Sequence, residues 1–413
     1  MRLTRGLLAH AEAALTGLLQ FSGPADEILS RYFREHRALG QQERGFVAET
    51  VFGVLRRKRS LEAAAGSTEP AALVAAALMR IQGLSARALD GLVEPALSAK
   101  IRAPRPEALP PAVRADLPDW LWERLASENG EDEAMRIAQA MLNPASLDLR
   151  VNLARTSREA VLERFAADGI EAAPTPLSPS GVRLAGKPAI NRHELFREGL
   201  VEVQDEGSQI LAWLVAPRRG EMIADYCAGA GGKTLALGMM MRGTGRIYAL
   251  DISPKRLAAL GPRAARAGIT NVHSIVLAGE NDARARRLAG KLDRVLVDAP
   301  CSGFGTLRRN PDFKWRQAPQ AIDELAAKQA RILRAASRLV KKGGRLVYAT
   351  CSLLRQENEA IAEAFAAEHP DFVPLDCGEL LAAQRITLGG DHLRLWTHKH
   401  GTDAFFAAAF ARS

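Results

Sequence analysis

Cysteine is scarce: the 413-residue chain has four, Cys227, Cys301, Cys351 and Cys377, and no two of them form a CxxC pair. That spacing excludes a zinc ribbon or a thioredoxin-like motif, so no metal is expected, and so few thiols in a long chain suit a reducing, cytoplasmic setting. No apolar run approaches the roughly 18 residues of a membrane span, so no membrane partner is expected. The amino terminus carries Arg2 and Arg5, but His10 and Glu12 interrupt any signal-peptide core and leave an amphipathic helix. No segment repeats at a fixed period, and nothing calls for more than a monomer.

What is present is ordinary for a globular protein. Hydrophobic residues make up 47% and charged residues 25%, which excludes a disordered or collagen-like chain. The length suits two to three domains, enough to bury a core without disulfides. Lys and Arg number 56 against 47 Asp and Glu, and the resulting charge of +9 favours a polyanionic partner.

Residues 1–140 read as a helical domain. Phe46, Val47, Val51, Val54 and Leu55 recur at helical spacing and define one apolar face. Arg56, Arg57, Lys58 and Arg59 follow at the end of that helix, where cations suit both the helix dipole and a phosphate backbone. Arg31, Arg34 and Arg37 form a second basic stripe at spacing three, expected along one helix face. Residues 70–100 read as helix. Pro104, Pro106, Pro110, Pro111 and Pro118 then mark a connection, followed by Trp120 and Trp122.

Residues 141–206 read as a small α+β module. LDLRVNL (147–153), GVRLAG (181–186) and LVEVQDEG (200–207) have strand character, and SREAVLERFAADGI (157–170) a Gly-capped helix. From 207 to 413, helices alternate with strands at 222–227, 246–251, 273–278, 294–300 and 345–351, with one helix over 318–341. That alternation predicts an α/β, Rossmann-like domain with a parallel sheet and a ligand beyond the carboxyl ends of its strands.

The first of these strands runs through DYCAGAGGKT (225–234) into a helix. A P-loop would need glycine where Cys227 stands, and Gly229, Gly231 and Gly232 lack the GxGxxG register of a dinucleotide site. Two readings remain, a plain tight turn and the turn of an adenosylmethionine methyltransferase. In the second, Cys227, Ala228, Gly229, Ala230, Gly231, Gly232 and Lys233 bring the backbone close to the cofactor. Asp251 ends the next strand, where it can accept from both ribose hydroxyls. Asp282, or alternatively Glu280, follows the third strand and could take the adenine amino group, and Asp298 ends the fourth. Such a ring of carboxylates would repel NADP phosphates but not a sulfonium.

Cys301 and Cys351 each follow a strand, within DAPCSGFGTLRRNPDFKW and YATCSLLRQENE. These segments, with DYCAGAGGKT, VQDEGSQ (203–209) and HGTDAFF (400–406), resemble the motifs of the RsmB/Sun family of RNA cytosine-5 methyltransferases from about Arg150 onward. The amino-terminal part is similar to that family's NusB-like RNA-binding domain. Ala230 departs from the proline usual in the loop. The resemblance implies S-adenosyl-L-methionine as cofactor, Cys351 as the thiolate that adds to cytosine C6, and Cys301 as the group that helps release it. It implies that Asp298 stabilises the protonated N3. Lys233 is a candidate cation for lowering the thiol pKa from about 8.5 toward neutrality. The absence of an Asn/Asp-Pro-Pro-aromatic sequence argues against methylation of an exocyclic amine.

The implied substrate is small-subunit ribosomal RNA, with transfer RNA, or a non-catalytic assembly role on RNA, as alternatives. Arg308, Arg309, Lys314 and Arg316, with Phe313 and Trp315, follow Cys301 directly and are expected to meet a flipped base and its phosphates. The competing expectation is a structural loop whose Trp315 packs inward. Arg355, Glu357 and Asn358 read as caps and packing, and Cys377 as a structural thiol.

Overall fold

A computed structural model of the chain describes residues 3–103 and 109–413. Arg2, Pro104 and Pro106 lie outside the described residues. The chain divides into two compact units, Met1–Pro144 with Thr306–Pro319, and Ala145–Gly305 with Gln320–Ser413.

The first unit is helical. Helices Arg5–Leu18, Ala25–Glu35, Gln41–Arg56, Lys58–Ala65 and Pro70–Arg80 pack around Leu15, Val47, Val51, Val54 and Leu73, all fully buried. Thr4 caps the first helix by accepting from Leu7 N, and Gly66 closes the fourth at φ +60°. The stretch 70–100, expected as helix throughout, is broken into Pro70–Arg80, a 3₁₀ turn Ala86–Leu89 and Pro95–Arg102. Gly83 and Gly91 take positive φ at the breaks, and Pro95 starts the last piece. Arg31 and Arg34 lie on helix Ala25–Glu35, but Arg37 falls past its end, so the basic stripe does not run along one helix.

Thr306–Pro319 belongs to this unit although it follows Cys301 in the chain. Helix Gln41–Arg56 ends with carbonyls that no helical amide can reach. Trp315 Nε1 donates to Leu55 O at 2.7 Å and Lys314 Nζ to Arg56 O at 2.8 Å, so this segment satisfies two of them.

The second unit opens with a four-stranded antiparallel sheet of order β2-β3-β1-β4, built from β1 (Leu147–Val151), β2 (Ala172–Pro174), β3 (Gly181–Leu184) and β4 (Val201–Val203). Helix Arg158–Ala167 covers it, packing Val161 and Phe165 on Leu149, Val151 and Val182.

The larger sheet has eight strands: β5 (Met222–Tyr226), β6 (Arg246–Asp251), β7 (Val272–Val276), β8 (Leu292–Asp298), β9 (Val340–Thr350), β10 (Phe372–Leu375), β11 (Leu393–Leu395) and β12 (Phe405–Arg412). Its order is β10-β12-β9-β8-β5-β6-β7, with β11 beside β12. The strands from β5 to β9 pair in parallel, as the helix–strand alternation predicts, while β10, β11 and β12 add an antiparallel edge. Apolar layers cover both faces, one around Tyr348, Leu333 and Phe365, the other around Ile210, Ala236 and Leu381. Strand order reverses between β5 and β8, the place where doubly wound sheets open a crevice for ligands.

Candidate active site

The crevice is built at the ends of β5, β6, β8 and β9. After β5 the chain turns with Cys227 at φ +72°, Gly229 at +57° and Gly231 at +84°, and then enters helix Gly232–Met241. Positive φ at both glycines disfavours a side chain, and a Cβ would also lie 2.2 Å from Arg256 Nη2 at Gly229 and 2.2 Å from Leu260 Cδ1 at Gly231. Cys227 holds the same left-handed conformation without that freedom, a strained position of the kind found at ligand sites.

Asp251, at the end of β6, fixes this turn. Its Oδ2 accepts from Gly229 N and its Oδ1 from Ser253 N, both at 2.7 Å. Each oxygen keeps a further acceptor site, which fits a pair of ribose hydroxyls. Behind the turn, Thr234 Oγ1 donates to Asp225 Oδ2 at 2.6 Å, while Oδ1 of the same buried carboxyl has no partner. Burial and the nearby Asp298 push Asp225 up to about 7, against the opposing Thr234 hydrogen bond. The Cys227 thiol is also held far above its usual range, first by burial and then by Asp298, Asp251 and Asp225. Asp251 and Asp298 put carboxylates at the crevice, which suits a cationic sulfonium.

Asp282 is engaged within the protein. It caps the turn Ala283–Arg286 and accepts from Ala278 N, Arg284 N and two nitrogens of the Arg284 guanidinium. Those bonds fill the acceptor capacity of its carboxylate. They also hold it well below the usual carboxylate range, the Arg284 side chain contributing most. Glu280 remains; its carboxylate meets Arg331 at 2.9 Å and its carbonyl accepts from Tyr226 Oη at 3.1 Å.

β8 and β9 lie side by side with Asp298 in register with Ala349. Ala299 N donates to Ala349 O, and just beyond, Cys301 Sγ lies 3.3 Å from Cys351 Sγ. The sequence placed these thiols at neighbouring strand ends; the fold brings them into contact. Lys233 Nζ donates to Asp298 Oδ2 at 2.7 Å and lies 5.5 Å from the ring centre of Phe405. Burial disfavours its ammonium, but Asp298, Cys351 and Asp225 together outweigh that and raise Lys233 above its ordinary value. Cys301 is raised strongly, by its hydrogen bond to Cys351, then by burial, the Cys351 charge and Glu357. Cys301 is thus held protonated by its surroundings.

Two residues read as packing or left unread bear on the site. Glu357 is fully buried directly behind both cysteines, and Phe405 lies against Lys233. The HGTDAFF segment announced the second, since Ala404 N donates to Gly305 O and Asp403 N to the Asp205 carboxylate. Cys377, fully buried and pushed up to about 11 by burial, is a structural thiol.

The expected RNA-facing run after Cys301 is corrected by burial. Arg308 and Lys314 are buried, and Trp315 packs against the helical core. Burial closes off Arg308 and Lys314 from a base or a phosphate, and Trp315, half-buried, is turned onto the helical core as the inward-packed alternative expects. Arg309 is half-buried and Arg316 exposed. Within the quartet at the end of helix Gln41–Arg56, Arg56 is pushed down to about 10 by burial, Lys58 pairs with Glu62, and Arg59 pairs with Asp119. A more open basic surface lies on the same unit, where Arg34, Arg37 and Arg44 line a cleft with Ser30 and Phe33.

Comparison with known proteins agrees with this geometry. The family described as 16S rRNA methyltransferase RsmB/F matches residues 212–411, and the RsmF/B-like ferredoxin-like domain matches residues 117–191. A probable ribosomal RNA small subunit methyltransferase B of Bacillus subtilis (strain 168) is 35% identical over 307 residues, which cover 73% of this chain and 67% of that relative. The solved structure of PH0851 superposes over all of both chains with a TM-score of 0.78 at 26% identity. NSun6 from Pyrococcus horikoshii, solved with the adenosylmethionine analogue SFG, shares the fold over 71% of this chain and 98% of its own, with a TM-score of 0.64 at 21% identity.

Proposed function

The chain belongs to the RsmB/F family of S-adenosyl-L-methionine-dependent RNA methyltransferases, and from that premise we propose that it forms 5-methylcytosine in small-subunit ribosomal RNA through a covalent bond from Cys351 to cytosine C6. The observation that carries the reading is the 3.3 Å contact between Cys301 and Cys351 beside the Lys233–Asp298 pair.

The cofactor fits the turn 227–233, with Asp251 toward its ribose and Glu280, in place of Asp282, toward its adenine. When bound, its sulfonium supplies the methyl group. The chain's own residues do the rest. Cytosine C5 is too weak a nucleophile alone; addition of the Cys351 thiolate to C6 makes it enamine-like. Lys233 stabilises the attacking thiolate; N3 takes a proton from water as the adduct forms, Asp298 accepts a hydrogen bond from that N3–H, and the proton returns to water when the base is released. Once Cys351 is bonded to carbon it carries no charge, so the first of the causes that raise Cys301 is gone while burial and Glu357 remain, and the Cys301 proton is then lost to water. The Cys301 thiolate then takes the C5 proton, the C6–S bond breaks, and both sulfurs return to their starting states. The helical unit binds RNA through the Arg34, Arg37 and Arg44 cleft.

The test is a denaturing gel of wild type, Cys301→Ala and Cys351→Ala incubated with small-subunit rRNA and the cofactor. Cys301→Ala should trap a shifted protein–RNA band, and Cys351→Ala should give neither band nor methylation. Cytosine C5 methylation by Cys351→Ala would overturn the assignment.

A further inference from the structure

Directly behind the two cysteines lies a carboxylate that the chemistry above does not use. Glu357, in the 3₁₀ turn Arg355–Glu357, is fully buried. An ionised group there must be compensated by hydrogen bonds, and the compensation comes from both cysteine loops. Oε1 accepts from Ser302 N at 2.8 Å and from Gln329 Nε2 at 2.9 Å. Oε2 accepts from Ser302 Oγ and Ser352 Oγ. Ser302 follows Cys301, and Ser352 follows Cys351. Gln329, on helix Pro319–Ser337, also donates to Pro300 O at 3.0 Å, one residue before Cys301. The clamp is itself held: Tyr348 Oη, on β9, donates to Glu357 O at 2.6 Å. Asn358 Nδ2 donates to Ser352 O at 3.1 Å, and Thr350 Oγ1 hydrogen-bonds Asn358 Oδ1.

We infer that Glu357 is a positioning residue for the methyl-transfer reaction: one buried carboxylate fastens the loops of Cys301 and Cys351 to a common point and so sets the distance between their sulfurs. A purely structural anion would be satisfied by donors from anywhere around it. Here three of the four donors come from the two residues that directly follow the cysteines. The hydroxyls divide the labour. Ser302 holds the loop of the residue that releases the base, and Ser352 the loop of the residue that attacks it.

The inference rests on the cysteine roles proposed above, and its test keeps the two apart. Glu357→Gln replaces an acceptor by an amide that faces donors on every side. Its kcat should fall about 10- to 100-fold, the scale of a small misplacement of reacting groups. KM for the cofactor and for rRNA should stay within about twofold. Ser352→Ala should slow formation of the adduct, read in the Cys301→Ala background where it is trapped. Ser302→Ala, with both cysteines intact, should form the adduct at the normal rate and release it slowly, so that the shifted band accumulates. These serine variants remove one hydroxyl each and decide the matter even if Glu357→Gln fails to fold. Normal kcat in folded Glu357→Gln, or an identical effect of the two serine variants on formation and release, would overturn the positioning role. Absence of an adduct in Cys301→Ala itself would instead overturn the cysteine roles.

Discussion

Lys233 donates to Asp298 at 2.7 Å while its ammonium also feels the charge of Cys351, so one cation joins the residue proposed to hold N3 to the residue proposed to attack C6. Lys233→Met should therefore damage the thiolate as well as the adduct. The expected loss in methylation is about 100-fold, the scale for removing one preorganised charge from a transition state. Alkylation of Cys351 by iodoacetamide, followed by peptide mass spectrometry without RNA or cofactor, isolates the first effect. An unchanged alkylation rate would mean that the ammonium does not activate the thiol.

The cofactor turn gives a second, purely steric expectation. Gly231 combines φ +84° with a Cβ position 2.2 Å from Leu260 Cδ1. Gly231→Ala must either strain the backbone or push Leu260 out of its packing, a cost of about 1–3 kcal/mol. Calorimetric titration should show cofactor affinity reduced at least about tenfold, since 1.4 kcal/mol is a factor of ten. Gly261→Ala, whose Cβ meets no atom within 4 Å, is the matched control.

These contacts mark the boundary of what the sequence could say. The parallel strands were legible as short runs between helical stretches, several of them ending at Asp or Cys, and their parallel pairing followed from the helix–strand alternation. The antiparallel edge was not: β10 is four residues and β11 three, too short to show a period. The thiols' placement at strand ends was readable, but not their contact, which depends on the register that pairs Asp298 with Ala349. Asp282 and Lys314 show what else sequence leaves open. Residue type advertises charge, and only the fold shows whether that charge faces a ligand or is used up inside the protein.

Asp225 should make stability depend on pH. Its carboxyl is pushed up to about 7 by burial, so the folded protein prefers it protonated and the unfolded chain, at 3.8, does not. A carboxyl raised in the fold destabilises increasingly as pH rises from the unfolded value through the folded one. Asp225→Asn keeps an oxygen to accept from Thr234 and removes the titration. Its stability relative to wild type should improve between pH 5.5 and pH 8 by about 1–2 kcal/mol, following 1.36 kcal/mol per pKa unit. Urea unfolding at the two pH values checks this, and a constant difference would place the Asp225 charge elsewhere.

The last expectation separates basic residues that hold the helical unit together from those that bind RNA. Lys314 is buried and pushed down to about 7 from 10.5 by burial, against the attraction of Asp116. Between those values the folded amine is neutral while the unfolded one keeps its proton, so stability rises with pH across that window. Lys314→Met should abolish this rise, measured as thermal midpoints at pH 7 and pH 9, and leave RNA affinity untouched. Arg34 and Arg37 are exposed beside the half-buried Arg44, whose guanidinium lies over Phe33 at 5.7 Å. Arg34→Glu with Arg37→Glu should leave stability unchanged and weaken rRNA binding. Each lost phosphate contact should make the logarithmic salt dependence shallower by about 0.7–0.9. If instead Lys314→Met lowers that slope and the double arginine variant does not, RNA reaches the segment after Cys301 and the cleft on the helices is incidental.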